Sequence, residues 1–331
     1  MERITIIGLG PIGVSMGMAL AQANLRNTEV VGTTGDRGLL GNVAKLKVFD
    51  KTETRLGTAI EGASLIVFDS PLSEMRELME AVGPYVQDGA VVIDTGPVKG
   101  LVAKWAKEHF PPSVHYVPSR PLLKKPLASL ADADPKVFVG ATYALMPASD
   151  TPSSALETVV GYVETLGAQP AFMDREEYDS YSAAVSQLPV VVSCALMTTA
   201  SGSESWREMH RVASAEFARL TELASEDPEA TEVSCLANAD SLVHWIDQLI
   251  TELYAYRNQI KEGNDDLIEN LVRAWEGRAR WDADAVASNP GERMMSARES
   301  MSTAFLGERL TKRLAGIDAD KKEPWKYKRR F

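Results

Sequence analysis

This 331-residue chain has little cysteine, little histidine and no excess of positive charge, and each shortage removes a class of function. Asp and Glu outnumber Lys and Arg by 46 to 35, a formal net charge of -11. Phosphate-backbone binding needs a basic face, so nucleic acid is not expected as a partner and small-molecule chemistry fits better. The two cysteines, Cys194 and Cys235, fall in apolar or helical stretches at no metal-ligand spacing. They read as buried thiols of a cytosolic protein, with a disulfide between them as the less favoured alternative. The four histidines, His109, His115, His210 and His244, are scattered over strand and helix patterns and read as structural. No His, Cys or carboxylate group has metal-site spacing, so no metal is expected. Long apolar runs are also scarce. The longest, Leu188 to Ala200, carries Ser193, Thr198 and Thr199 and is expected to be a core helix rather than a membrane span. The amino terminus enters a strand pattern with no charged leader, and a cytoplasmic location without membrane attachment is expected.

What is present begins at once. Arg3 to Ile7 is a buried-strand pattern that breaks on Gly8-Leu9-Gly10-Pro11-Ile12-Gly13 and continues into the helix-compatible stretch Val14 to Ala23. A G-x-G-x-x-G run between strand and helix is the dinucleotide fingerprint. Gly8 allows the tight turn, Gly10 lets the backbone approach a diphosphate, and Gly13 brings helix and sheet close. The cofactor-binding residues expected from this loop are Gly8, Gly10, Pro11, Ile12 and Gly13, with the anion held at the helix N-terminus.

Short β-rich runs then alternate with helical patterns up to residue 172, as in a parallel sheet covered on both faces. Strands are expected at 3–8, 29–33, 64–68, 90–94, 114–118, 137–139, 143–146 and 168–172. Helices are expected at 12–24, 36–46, 71–83, 98–109 and 152–166. Beyond residue 173 the period is near 3.6 throughout, with helices expected at 175–200, 204–225, 230–262, 265–287 and 291–315. The chain therefore reads as an α/β protein: a Rossmann-like doubly wound domain over 1–172, an all-helical domain over 173–316 and a basic tail over 317–331. The helical domain has more apolar positions than one small layer hides, so a homodimer through it is expected.

At the tip of the second strand, an acidic side chain would grip a ribose 2′-hydroxyl, whereas its absence beside an arginine suits a 2′-phosphate. The tip is Thr33-Thr34, with Asp36 late and Arg37 following. This favours NADP over NAD, with Thr34 and Arg37 near the adenosine ribose. Alternatively, Asp36 simply caps the next helix. Ser70 and Pro71 are placed beside the nicotinamide ribose.

Several segments in order resemble the prephenate dehydrogenases of tyrosine biosynthesis: Ile6 to Gly13; Val91 to Lys99; Tyr116 to Pro121; Leu166 to Ala168; Arg175 to Asp179; Val185 to Pro189; and Phe217 to Ala224, leading to Asn238. The resemblance covers about residues 3 to 260. It implies a dinucleotide domain, a helical dimerisation domain, and hydride transfer to NAD(P) in the cleft between them. It also exposes departures. The family's Gly-x-His-Pro histidine, which takes the substrate hydroxyl proton, is Arg120 here. The serine of the family's Asp-x-x-Ser-x-Lys segment is Pro97, although Lys99 is kept. The His-Asp pair is Tyr178-Asp179, the Ser-His-Leu-Pro-His run is Ser186-Gln187-Leu188-Pro189-Val190, and the carboxylate-binding Thr-Arg is Thr221-Glu222.

An arginine stays protonated and is no general base near neutral pH. Glu222 turns a carboxylate attraction into repulsion, and Arg120 restores one cation elsewhere. The residues expected around a small anionic substrate are Arg120, Lys99, Tyr178 and Ser186. Arg120 either clamps a carboxylate or phosphate or makes a salt bridge. Lys99 either holds an anion or is an ordinary first-turn lysine. Tyr178 is a wall residue unless a neighbouring cation lowers its pKa. Tyr178, Ser182, Val185, Ser186 and Pro189 are expected to share one face. Three activities are compatible with these residues: a prephenate-type dehydrogenase, the same chemistry on another small anion, and a dinucleotide-binding regulator without catalysis.

Overall fold

Runs of four to six apolar, often β-branched residues alternate with helices in the first half of the chain, and this pattern buries strands on both faces. A computed structural model describes residues 2–125, 127, 129–263 and 266–283. The expected helix at 291–315 and the tail at 317–331 lie outside the described residues.

The chain divides into two compact units, with the boundary between Leu242 and Val243. The first opens with β1 (Glu2–Ile7), α1 (Pro11–Ala23), β2 (Thr28–Thr33), α2 (Arg37–Leu46), β3 (Lys51–Glu53), α3 (Leu56–Ile60), β4 (Leu65–Phe68), α4 (Leu72–Val82), β5 (Val91–Asp94), α5 (Lys99–His109) and β6 (His115–Val117). These six strands form one parallel sheet in the order β3-β2-β1-β4-β5-β6. Alternation along the strands feeds two cores. Ile4, Ile6, Val67 and Ile93 face α1, while Ile7, Ile66, Phe68 and Val92 face α4 and α5. Strand order reverses between β1 and β4, so a crevice opens at their carboxyl ends, beside Gly8 and Asp69.

The remaining strands correct the expectation of one sheet. β7 (Ser119–Leu122), β8 (Thr142–Leu145) and β9 (Gln169–Phe172) form a separate sheet with β7 antiparallel and β9 parallel to β8. α6 (Ser153–Thr165) lies between the last two strands in sequence. The strand expected at 114–118 is β6, which ends before Pro118, and β7 lies beyond the expected run as a strand not anticipated from the sequence. The strand expected at 137–139 is a 3-10 turn, Pro135–Phe138. Its apolar residues have a strand-like spacing, but Pro135 at its start and the Asp134 side chain accepting from Lys136 N–H close a turn instead.

After Asp174, whose side chain accepts from the N–H groups of Glu176 and Glu177, comes α7 (Arg175–Ser182). A π turn at Ala183–Gln187 carries it without a break into α8 (Leu188–Ser201). The extra residue per turn displaces the face expected from simple periodicity. Tyr178, Ser182, Ala183 and Gln187 are buried, while Val185 and Ser186 are exposed. The core-helix expectation for 188–200 is likewise corrected. Arg175–Ser201 is one 27-residue helical run, long and apolar enough to span a bilayer, and only 17 % of its most apolar window is buried within this chain. Cys194 and Cys235 are free and half-buried rather than buried.

The stretch expected as one helix at 204–225 is α9 (Trp206–Val212), α10 (Ala215–Thr221) and a 3-10 turn at Glu222–Ser225. α11 (Pro228–Ala237) follows, capped by Asp227, and stops at Asn238. The second unit, from Val243 onward, holds most of α12 (Ala239–Glu262) and then α13 (Asp266–Asp282). Within it Arg273 pairs with Glu252 at 3.1 Å, and Asn270 Nδ2 donates to Gln259 Oε1 at 2.9 Å.

Candidate active site

The glycine loop has the geometry its sequence requires. Gly8 sits at φ +94°, and a Cβ there would lie 2.0 Å from the Asp69 carbonyl oxygen. Gly13 is equally constrained, since its Cβ would lie 2.5 Å from the Gly8 carbonyl oxygen. Gly10 is the N-cap of α1 and Pro11 opens its first turn. Pro11 has no N–H to leave unpaired there, and the free N–H groups that follow point at the crevice. One of them is occupied: Gly13 N donates to Asp69 Oδ2 at 2.6 Å, and Thr95 Oγ1 donates to Asp69 Oδ1 at 2.6 Å. Loss of hydration there raises the Asp69 pKa to about 6. Ser70 Oγ lies 3.4 Å from the Ile7 carbonyl oxygen, and Pro71 is the exposed N-cap of α4.

At the tip of β2, Thr33 is buried, Thr34 half-buried and Arg37 exposed. Asp36 is the N-cap of α2, accepting from Gly38 N at 2.8 Å and Leu39 N at 3.0 Å. Its carboxylate is therefore engaged by its own helix.

A second cluster forms where β5, α5, β7 and α7 meet. Lys99 has no exposed surface, and its Nζ donates to Asp94 Oδ2 and to the Ser119 carbonyl oxygen, both at 2.6 Å. Asp94 also accepts from Tyr116 Oη at 2.6 Å and Gly96 N at 2.8 Å. Burial pulls the Lys99 pKa down to about 8; Asp94 opposes that shift, and the charge of nearby Arg120 adds to it. Neither reading of Lys99, as an anion holder or as an ordinary first-turn lysine, included this buried ion pair with Asp94, which ties β5 to β7 behind the site.

Arg120 is half-buried on β7, and its Nη1 is buried without a hydrogen-bond partner among the described residues. It makes none of the salt bridges found among the described residues. Beside it stands Tyr178, buried on α7. Burial raises the phenol's pKa, and the Arg120 charge and the Ser182 hydroxyl only partly oppose this. Tyr178 is thus a neutral donor or wall and not a base. Ser186 is exposed on the π turn, away from the buried stripe, and Glu222 is exposed in its 3-10 turn.

Sequence reading overlooked two acidic roles. Asp69 was signalled only by a carboxylate directly after an apolar strand. Asp179 caps α5 from another element, accepting from Lys99 N and Gly100 N, both at 2.7 Å. The Asp179 backbone carbonyl in turn accepts from Asn238 Nδ2 at 2.7 Å, and that nitrogen also donates to Gln187 Oε1 at 2.9 Å. Gln187 Nε2 donates to the Ser234 carbonyl oxygen at 2.7 Å. Gln187 and Asn238 are therefore struts that hold α7 and the π turn against α11.

A doubly wound sheet with a glycine loop at its switch point, followed by a helical segment that lays polar side chains across the sheet's carboxyl edge, defines an NAD(P)-dependent oxidoreductase. The description "Prephenate dehydrogenase, nucleotide-binding domain" matches residues 18–171, and "Prephenate dehydrogenase, dimerization domain" matches 174–275. The chain belongs to the prephenate dehydrogenase family. A cyclohexadienyl dehydrogenase of Zymomonas mobilis is 27% identical over 284 residues, 84% of this chain and 95% of the relative. The fold is that of the prephenate dehydrogenase of A. aeolicus, solved with hydroxyphenyl propionate and NAD+, with a TM-score of 0.77 at 20% identity over 85% of this chain and 98% of that one. A Synechocystis arogenate dehydrogenase is also similar, with a TM-score of 0.70 at 21% identity over 85% of this chain and all (100%) of that one.

Proposed function

We propose that the chain oxidises a small cyclohexadienyl carboxylate of the prephenate or arogenate type, passing hydride to a dinucleotide seated on the glycine loop. One observation carries the substrate reading: Arg120 presents a buried guanidinium nitrogen with no partner among the described residues, close to a neutral phenol, at the carboxyl edge of the sheet. A cation so placed is stabilised by an incoming carboxylate or by an oxygen that gains negative charge during hydride departure. In this reading Arg120 binds and polarises, and Tyr178 donates a hydrogen bond. Lys99 fixes Ser119 and Asp94 behind them, and Ser186 takes no part unless a second subunit covers the π turn. The substrate hydroxyl proton leaves to water, since Arg120 cannot accept it.

Gly8, Gly10, Pro11, Ile12 and Gly13 are assigned to the diphosphate, and Ser70 and Pro71 to the nicotinamide ribose. Thr34 and Arg37 are assigned to a 2′-phosphate. The preference for NADP rests on the Asp36 carboxylate being spent on its own helix while Arg37 is free at the tip. The active unit is assigned as a cytoplasmic homodimer built through the helical segment.

The test is a panel of prephenate, arogenate and unrelated hydroxy acids, followed at the nicotinamide absorbance with NAD+ and with NADP+. Turnover of a cyclohexadienyl substrate, reduced at least tenfold in Arg120→Ala and partly kept in Arg120→Lys, is the expected result. Dinucleotide binding without turnover of any member would replace this reading with that of a non-catalytic dinucleotide-binding protein. Arg37→Ala should weaken NADPH binding and leave NADH unchanged.

A further inference from the structure

The N–H groups at the start of α1 are the part of the fold that receives a diphosphate, yet a carboxylate already sits against them. Asp69 Oδ2 accepts from Gly13 N at 2.6 Å, and it lies 2.9 Å from where a Gly13 Cβ would be and 3.7 Å from where a Gly10 Cβ would be. The carboxylate therefore occupies the space that the glycines leave open. Among the described residues, its other oxygen accepts from a hydroxyl, Thr95 Oγ1.

The groups facing it from each neighbouring element are neutral. α1 offers backbone N–H and no charged residue in its first turn. The loop after β5 offers Thr95. β8 and α6 bring Tyr143 and Tyr162 within electrostatic reach, both kept neutral by burial. The adjoining loop offers Ser70. No cation among the described residues offsets the carboxylate's charge. Two negative phosphates arriving at the same N–H groups would meet a like charge in a poorly hydrated corner.

We propose that Asp69 couples dinucleotide binding to the uptake of one proton. The carboxylate that accepts from Gly13 takes a proton from solvent as the diphosphate arrives, and the resulting neutral acid donates a hydrogen bond to a phosphate oxygen. The inference rests on the dinucleotide reading of the glycine loop. The direction follows from charge: a like charge within about 4–6 Å raises a carboxyl pKa by about one unit or more. The free protein, already at about 6, should then bind a dinucleotide best below that pH and progressively less well as pH rises.

The experiment is calorimetric titration of the full chain with NADH and with NADPH between pH 5.5 and 8.0, in buffers of differing ionisation enthalpy, for wild type, Asp69→Asn and Asp69→Ser. The 2′-phosphate of NADPH titrates in this range, but it does so alike in all three proteins. The expected wild-type result is net proton uptake and an affinity that falls on the order of tenfold from pH 6 to 8. Both variants should lack this component and bind more tightly than wild type at pH 8. Absence of proton uptake with NADH, or the same pH slope in wild type and variants, would overturn the proposal while leaving the dinucleotide site intact. Absence of binding at every pH in every protein would instead remove the dinucleotide reading itself. Should both variants fail to fold, the wild-type proton count with NADH decides the matter alone.

Discussion

Arg120 and Lys99 are two cations within electrostatic reach of each other, and their surroundings give them different work. Lys99 Nζ bonds to Asp94 and to the Ser119 carbonyl inside the protein and has no exposed surface, whereas Arg120 retains a free donor. Replacing Lys99 by Met would leave Asp94 buried with its charge uncompensated. Breaking one side of a buried pair typically costs about 3–5 kcal/mol. Lys99→Met should therefore unfold at markedly lower denaturant concentration than wild type. The double variant Lys99→Met with Asp94→Asn should recover part of that loss, because the unpaired charge is then gone. Equal midpoints for wild type and Lys99→Met would show that the pair holds nothing together. At Gly8 the constraint is steric. A methyl group would stand 2.0 Å from the Asp69 carbonyl oxygen on a backbone at φ +94°, so Gly8→Ala must move the β4 loop or the start of α1. Loss of dinucleotide affinity by more than tenfold is expected even where the far-UV circular dichroism is unchanged.

At the scale of elements, the parallel sheet and its glycine turn were legible because local pattern and tertiary role coincide there. Strands buried on both faces are apolar runs, and the turn between β1 and α1 can be made by few residues other than glycine. The second sheet was not legible, since nothing in the sequence of β7 tells it to pair antiparallel with β8 instead of joining the edge at β6. Nor was the π turn. A period of 3.6 places Ser186 with Tyr178, and the one-residue slip that exposes Ser186 and buries Gln187 is decided by the contacts of Gln187 with Ser234 and Asn238, some fifty residues away. The candidate site was half legible for the same reason: Arg120 lies beside both Lys99 and Tyr178, and Asp94 is only five residues from Lys99, but the carboxylate that caps the Lys99 helix comes from a distant position. Asp179 is the clearest case, closing the N-terminus of α5 from α7. Removing an N-cap side chain costs about 0.5–2 kcal/mol, and this one also aligns the helix that carries Tyr178. Asp179→Ala should lower stability by that amount in denaturant titration and raise KM for the substrate more than it lowers kcat, because α7 loses its register on α5. A variant with unchanged KM would restrict Asp179 to a cap.

At the scale of the molecule, the apolar surface is distributed in a way that one chain does not explain. The helical run Arg175–Ser201 is largely uncovered, and on α12 Val243, Ile250, Leu253, Tyr254 and Ile260 repeat at spacings of three, four and seven with between 44% and 65% of each side exposed. Both stretches fall inside residues 174–275, the match to the family's dimerization domain. Fully covering a Leu or Ile side chain contributes about 1.5–3 kcal/mol; these side chains are already about half covered, so burying the stripe on two copies contributes on the order of 10 kcal/mol, which matches the cost of association, and the uncovered run Arg175–Ser201 adds to it. A membrane would cover the same surface, but the run's Arg175, Glu176, Glu177 and Asp179 end makes that costly, and Asp179 is tied into the dinucleotide domain through α5. Light scattering on the purified chain should therefore give about twice 36.1 kDa without detergent. Placing charges in the stripe, as in Ile250→Glu with Leu253→Glu, should shift that mass toward one chain while NADPH still binds, because the glycine loop lies wholly in the first unit. A wild-type mass of one chain at micromolar concentration would refute dimerisation. A mass unaltered by the paired substitutions would move the interface from α12 to the face of α8.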